Sequence, residues 1–335
     1  MESSEFDLIA RLVERLPPPS PRLRVPSGDD AAVTEPAPGA AAVTVDAVGE
    51  GVHFSRPAFT PEASGRKALA TALSDLAAMG AEPGEAYVVL GAAADEDEQA
   101  LLGVADGLAE VALRDGVSVA GGDFVRAPQL FLSVTCVGYE QPGVPLVTRS
   151  GARVGDVVAV TGQLGGGAAA LRLLEGYEPS GLASVAVERL LAYQLDPKPR
   201  LAEGRALAAA GATAMIDISD GLGADAGHLA DASGVSLSIE LQTLPLAEGI
   251  AAVLGGSRAA ERVAASGGED YELLATIPPE RLGAASEAVI AAGGRLSEIG
   301  QVMEGAGGAT VMDSQGRAVE ASGCDHIRGS RAGSA

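Results

Sequence analysis

Short apolar runs of strand length alternate with longer segments of helical period along almost the whole chain, and this alternation constrains the fold more than any other feature. A chain patterned in this way builds sheets covered by helices. Residues 41–45, 86–90, 117–120 and 129–138 read as strands. Between them, 61–79 carries Leu69, Leu73, Leu76 and Ala77 at helical spacing and is closed by Gly80, and 98–114 reads as a second helix. An opening helix sets Phe6, Ile9, Val13 and Leu16 on one face and is stopped by Pro17, Pro18 and Pro19, which lack the N–H a helix needs. Turn residues restart around 148–155, ahead of the apolar strand 157–161. That restart predicts an N-terminal domain over 1–147 and a C-terminal domain over 148–327. The second half is expected to run as a glycine-rich loop and helix (165–174), a helix (200–210), a strand (214–218), a helix (222–232), a strand (235–241) and a closing α/β segment (286–312). Residues 328–335, small and polar apart from arginine, are expected to be a disordered tail.

Charge narrows the partners. Acidic residues outnumber basic ones 45 to 23, a net charge of −22, so a nonspecific grip on nucleic acid or an anionic membrane would work against the protein's own field. No strongly apolar, uncharged stretch reaches the roughly 18 residues a membrane span requires. The first helix carries acids early and is amphipathic, unlike a secretory signal. Only Cys136 and Cys324 occur, far apart, which suits neither a disulfide framework nor a zinc site. The expectation is a cytoplasmic protein with no nucleic-acid and no membrane partner.

The chemistry-bearing feature is a recurrent aspartate beside a small residue: Gly28-Asp29-Asp30, Val45-Asp46, Ser74-Asp75, Gly122-Asp123 and Asp217-Ile218-Ser219-Asp220-Gly221. Any one of these alone is more often a turn or a helix cap, because Asp bonds neighbouring backbone N–H groups. Together they say more: Asp46, Asp123 and Asp217 are expected at or near the ends of apolar strands, where α/β sheets gather ligand groups. Carboxylates gathered there repel one another unless hard cations lie between them, and oxygen-only donors suit Mg²⁺. Magnesium with a polyphosphate is the economical reading. A conventional P-loop is excluded, since neither Lys67 nor Lys198, the two lysines, follows a GxxxxGK[ST] loop. The glycine run Leu164-Gly165-Gly166-Gly167-Ala168 reads equally as an anion-binding helix start or as a connector. His53 reads as a structural histidine or a ligand contact, and Arg149 as a phosphate clamp or the partner of a surface acid.

The ordered set of motifs resembles the thiamine-monophosphate kinase family, within the aminoimidazole-ribonucleotide-synthetase-like superfamily, along nearly the whole chain. The resemblance is carried by GDDAAV (28–33), VDAVGEGVHF (45–54), KALATALSDLAAMGAEP (67–83), GGDFVRAP (121–128), TRSGARVGD (148–156), VTGQLGGGAAAL (160–171), IDISDGLGADAGHLADASG (216–234), SGGEDYELL (266–274) and GCDHI (323–327). It implies a two-domain α/β (α+β) subunit of PurM-like architecture, whose N-terminal ATP- and Mg²⁺-binding domains pair in a homodimer. The family's metal ligands map onto Asp30, Thr44, Val45 through its backbone, Asp46, Asp75, Asp123, Asp217 and Asp220, with Asp46, Asp75 and Asp217 the most critical for turnover. ATP contacts map onto Gly122, Asp123, Arg149 and Ser219, and thiamine monophosphate contacts onto His53 and Glu269. The implied reaction is direct transfer of the γ-phosphoryl group of ATP to the substrate phosphate, with no phosphoenzyme. A phosphate nucleophile is already ionised near neutral pH, which accounts for the lack of an evident catalytic base.

The chain departs from the family pattern at four places: Cys324 stands where an aromatic residue usually stacks on the substrate rings, Gly166 replaces an Asp, Ala72 an Asn and Phe124 a Thr. Two other readings compete: a superfamily enzyme with a different phosphate acceptor, and a nonenzymatic ATP-binding homologue. Selenophosphate synthetases use an N-terminal Cys or selenocysteine with a nearby Lys, yet no Cys precedes Cys136 and no Lys precedes Lys67. A hydrogenase-maturation homologue is expected to end in a reactive cysteine tail, whereas 331–335 reads RAGSA.

Overall fold

A computed structural model describes residues 5–35, 37–56, 58–321 and 323. They form two compact units: one of the residues up to Leu76 with Ala81–Val144 and Leu195–Leu201, the other of Ala77–Gly80, Pro145–Gln194 and the chain from Ala202 on.

The first unit contains α1 (Glu5–Glu14), β1 (Leu23–Val25), β2 (Val33–Thr34), β3 (Ala41–Gly49), α2 (Pro61–Ala78, its last two residues grouping with the other unit), β4 (Glu82–Ala92), α3 (Glu98–Asp115), β5 (Ser118–Arg126) and β6 (Phe131–Tyr139). Strands β1 and β2 form a small antiparallel ribbon, and the others a four-stranded sheet of order β3-β6-β4-β5. Along β6, Leu132, Val134 and Cys136 are buried while their neighbours are half-buried, the period-2 pattern of a sheet with one covered face. Leu69, Leu73 and Leu76 of α2 and Leu101, Leu102, Val104 and Val111 of α3 are buried as well. Helices α2 and α3 approach backbone to backbone. A Cβ on Gly65 would lie 2.1 Å from the Val104 carbonyl oxygen, and one on Gly107 would lie 2.0 Å from that of Glu62. Only glycine permits that crossing.

The second unit contains β7 (Val157–Thr161), α4 (Gly166–Leu174), α5 (Ser184–Leu195) and α6 (Leu201–Ala210), whose facing end residues Leu195 and Leu201 group with the first unit, then β8 (Ala214–Asp217), α7 (Leu222–Ser233), β9 (Ser236–Glu240), α8 (Ile250–Leu254), α9 (Ser257–Ser266), β10 (Leu273–Ile277), α10 (Leu282–Ala291), β11 (Leu296–Met303), β12 (Ala309–Met312) and β13 (Ala318–Val319). Its seven-stranded sheet runs β13-β12-β9-β11-β7-β10-β8. Every residue of β7 and β10 is buried. Val158, Val160, Ile216, Leu237, Ile239 and Leu274 from the strands close one core with Leu229 of α7.

Three features go beyond or against the sequence pattern. The buried side of α1 is not the Phe6, Ile9, Val13, Leu16 face: Leu8 is 1% exposed, Phe6 82% and Val13 37%. Arg11 pairs with Glu98 and Arg15 with Asp106, both on α3, so the stripe 8, 11, 15 faces α3 with Leu8 buried and the two arginine heads still partly in solvent. The sheets are also mostly antiparallel, since β4–β5 and β9–β12 are their parallel pairs; the strands therefore do not present all their C-terminal ends along one edge. Third, Asp46 and Asp123 are not at strand ends. Each is the sixth residue of a nine-residue strand, β3 and β5, because the long neighbours β6 and β4 go on supplying hydrogen bonds past the acid. Asp217 does close β8. Among the described residues no helix is long and apolar enough to cross a membrane.

Candidate active site

In the first unit, strand alternation sets Thr44 and Asp46 two residues apart on one face of β3, and both are partly buried. Thr44 donates its hydroxyl proton to Asp75 Oδ2, which α2 presents one turn before its end. Cys136 is the cross-strand partner of Thr44 on β6. Its thiol is pushed up to about 12, first by burial and then by the charges of Asp75 and Asp46, so it is a protonated wall of the site rather than a nucleophile. Both carboxylates act on that one thiol. Asp46 Oδ1 accepts the Ala47 N–H at 2.7 Å.

Register separates Asp123 from this group. Asp46 pairs with Val134, Val134 with Val88 and Val88 with Gly122, so β3 and β5 are opposite edges of the sheet. Three strand spacings of roughly 4.8 Å put these edges about 14 Å apart. Gly122 is required where it stands, as a Cβ there would meet the Val88 carbonyl oxygen at 1.9 Å. Asp30 lies exposed in the loop before β2, its N–H bonded to Asp29 Oδ1 at 2.8 Å, and Val45 is 64% exposed on β3.

His53 follows β3 in a turn closed by the hydrogen bonds of Gly51 N–H to Phe54 O and His53 N–H to Gly49 O. The Gly49 N–H donates to His53 Nδ1 at 3.1 Å, so the proton of the neutral ring sits on Nε2. Lys67, 1% exposed, donates to the His53 carbonyl at 3.1 Å and so fixes the turn from α2.

In the second unit the turn from β8 into α7 carries Asp217, Ser219 and Asp220. Three successive N–H groups of that turn, those of Ser219, Asp220 and Gly221, converge on Asp225 Oδ2 at 3.1, 3.1 and 3.0 Å. Burial pushes Asp225 up to about 7 despite these donors, and the charge of Asp220 adds to the shift. Glu269 lies against the same turn, its N–H bonded to Ser219 O at 2.8 Å, and its carboxylate accepts from Gln194 Nε2 at 2.7 Å. Arg149 is exposed, and its carbonyl accepts the Ser233 hydroxyl at 3.0 Å.

The glycine-rich start of α4 behaves differently from an open anion site. The N–H groups of Gly165 and Gly167 donate to Asp270 Oδ2 and Oδ1 at 2.7 and 2.9 Å, so an internal carboxylate already fills the helix start. Burial pushes Asp270 up to about 7 against those amides, with Glu272 adding to the shift. The departure at Gly166 also has a cause here: a Cβ would lie 2.4 Å from the Tyr193 ring. Ala72 is fully buried in α2. Cys324 lies outside the described residues.

Residues 28–139 match the family described as AIR synthase related protein, N-terminal domain, and residues 153–313 match AIR synthase related protein, C-terminal domain. The chain is 38% identical over 283 residues to the thiamine-monophosphate kinase of Mycobacterium tuberculosis, covering 81% of this chain and 80% of that one. The chain belongs to the thiamine-monophosphate kinase family. Solved structures agree. A thiamine-monophosphate kinase from Stenotrophomonas maltophilia K279a superposes with a TM-score of 0.79 at 33% identity, covering 94% of this chain and 96% of that one. AaThiL complexed with AMPPCP and TMP gives 0.75 at 34% identity, covering 96% and 95%.

Two features of this family member were not singled out from the sequence. Asp225 and Asp270 were passed over, although each has a local signal: Asp225 stands four residues after Gly221, in the first turn of α7, and Asp270 sits between the charged residues of GGEDYE. Among the described residues, no three His, Cys, Asp or Glu side chains group so as to hold a metal ion. The donors that do come together, Thr44, Asp46 and Asp75, are two carboxylates and a hydroxyl. Such a set fits Mg²⁺, which binds through one or two carboxylates and keeps water and substrate phosphates as its other ligands.

Proposed function

We propose that the chain phosphorylates thiamine monophosphate at the expense of ATP, giving thiamine diphosphate and ADP by direct transfer between phosphates. The observation that supports this reading is Thr44, hydrogen-bonded to Asp75 and on the same face of β3 as Asp46, in a chain 38% identical to a thiamine-monophosphate kinase. The relative complexed with AMPPCP, a non-hydrolysable ATP analogue, and TMP supports the choice of substrates.

Each residue has a task that suits its chemistry. Thr44, Asp46 and Asp75 of the first unit would hold Mg²⁺, with the Val45 carbonyl, Asp30 and Asp123 as further oxygen donors of that unit; Asp217 and Asp220 are the oxygen donors the second unit offers. The roughly 14 Å between the sheet edges of Asp46 and Asp123 calls for more than one ion. Bound Mg²⁺ would screen the repulsion between the two phosphates and stabilise the charge of the transferring group. Gly122, Asp123, Arg149 and Ser219 are assigned to ATP: the exposed Arg149 guanidinium matches phosphate oxygens, and Gly122 leaves the β5 backbone bare. His53 offers an Nε2–H donor suited to the acceptor's phosphate. The Glu269 carboxylate suits the cationic thiazolium or the amino group of thiamine. No residue is assigned as general base, because the attacking phosphate oxygen is already ionised.

The N-terminal domain is assigned to residues 1–147 and the C-terminal domain to 148–327. Homodimer formation through the N-terminal units is supported by β3, an edge strand on which Val43 and Val45 are each 64% exposed. The cytoplasm is the proposed compartment. Titration of thiamine monophosphate into the protein with AMPPCP, with and without Mg²⁺, tests the site directly. Saturable binding that needs both partners supports it, and equal binding of an unrelated phosphate monoester such as glycerol phosphate contradicts it.

A further inference from the structure

Glu269 and Tyr271 are the non-glycine residues of the described chain with left-handed backbone, at φ 64° and 52°. Such residues persist only where the surroundings over-determine them. Between the two stands Asp270, 5% exposed, whose carboxylate takes the Gly165 and Gly167 N–H groups at 2.7 and 2.9 Å. On the other side, the Glu269 and Tyr271 N–H groups donate to Ser219 and Ile218 carbonyls at 2.8 and 2.9 Å. Gln194, 2% exposed and near the end of α5, donates from one Nε2 to Gly167 O at 3.2 Å and to Glu269 Oε2 at 2.7 Å. The first turn of α4 presses directly on this segment, since a Cβ on Gly167 would be 2.5 Å from Glu269 O. The strained turn is therefore gripped on both sides, and the one carboxylate of the segment left only partly buried is that of Glu269.

We propose that Asp270 and Gln194 are positioning residues for the acceptor: together they lock Glu269 so that its carboxylate meets the cationic part of thiamine monophosphate. This rests on the kinase reading above. Asp270 sets the backbone of the turn, and Gln194 sets the carboxylate's direction. Neither touches substrate. A carboxylate held in place this way selects for an acceptor that is cationic or carries an amino group at the far end from its phosphate, and rejects smaller phosphate monoesters. Fixing the group in advance also spares the binding step the loss of side-chain freedom.

The test is a double-mutant cycle between Asp270→Asn and Glu269→Gln, read as KM for each substrate. Asn offers one acceptor and turns an NH₂ toward the second glycine N–H, so it breaks the grip while keeping the volume. Each single variant is expected to raise KM for thiamine monophosphate about tenfold or more, while KM for ATP moves less than about threefold. The double variant is expected to be no worse than Glu269→Gln alone, because Asp270 acts through Glu269. Multiplying effects, or equal rises in both KM values, would overturn the proposal. Should Asp270→Asn fail to fold, Gln194→Leu runs the same cycle with the same expectations. Turnover by the unsubstituted protein separates the outcomes. Its absence removes the kinase reading and this proposal with it, whereas turnover with a multiplicative cycle removes this proposal alone.

Discussion

At the residue scale, the protein uses its carboxylates in two opposite ways. Asp46 and Asp75 sit partly exposed beside a hydroxyl, open to a cation, while Asp225 and Asp270 are buried and saturated by backbone amides. Asp46→Ala is therefore expected to lower turnover about a hundredfold or more while the circular dichroism spectrum is unchanged; wild-type turnover in that variant would refute its role as a metal ligand. Asp270 gives a pH prediction. Its folded-state pKa is raised to about 7 from the ordinary carboxylate value. Between about pH 4 and pH 7 the folded chain then holds a proton that the unfolded chain has released, so the group's contribution to stability is complete at acid pH and is lost as pH rises through 7. Urea midpoints at pH 5 and pH 8 should fall more in the wild type than in Asp270→Asn, and parallel changes would contradict the assignment. The sequence showed the acids but could not sort them, because exposure and the direction of nearby N–H groups depend on register and helix packing, which no local pattern records. It located the Asp46 and Asp217 motifs while passing over the internal anion Asp270 one residue away from Glu269.

Elements show where local pattern suffices and where packing takes over. The strand at 157–161 and the helices α2, α3 and α7 were legible because their period and their end signals agree, as with Gly116 at φ 72° closing α3. Helices α5, α8 and α9 were not read. α8 is a five-residue helix between Gly249 and Gly255, and α9 begins after Gly256, so loop chemistry masks both. The packing of α1 left no local signal, since Arg11 and Arg15 look like solvent residues until α3 supplies Glu98 and Asp106. Glycines inside α2 and α3 look like weak points of helix propensity, yet they make the crossing possible. Gly65→Ala is expected to lower the unfolding free energy by about 1–3 kcal/mol, because its Cβ would overlap the Val104 carbonyl oxygen and the helices must part. A denaturation midpoint equal to or above that of the wild type would show that the crossing is slack.

For the whole molecule, the family and the mixed α/β architecture were legible from ordered motifs, whereas the antiparallel character of the sheets was not, because strand partners far apart in sequence leave no local trace. A chain of net charge −22 has little cationic side-chain charge to spare for two polyanions, so divalent cations are needed to bring ATP and a second phosphate together on it. The proposed dimer should sediment at twice the mass of the chain, and Val43→Asp should shift it toward the monomer; sedimentation of the wild type as a monomer would contradict the proposal. The most direct measurement of the central claim is the product of incubating the purified chain with thiamine monophosphate, ATP and Mg²⁺, resolved by chromatography. Thiamine diphosphate and ADP are expected in equal amounts, with none formed when a chelator removes the metal. Absence of thiamine diphosphate while another phosphorylated acceptor is consumed would contradict it.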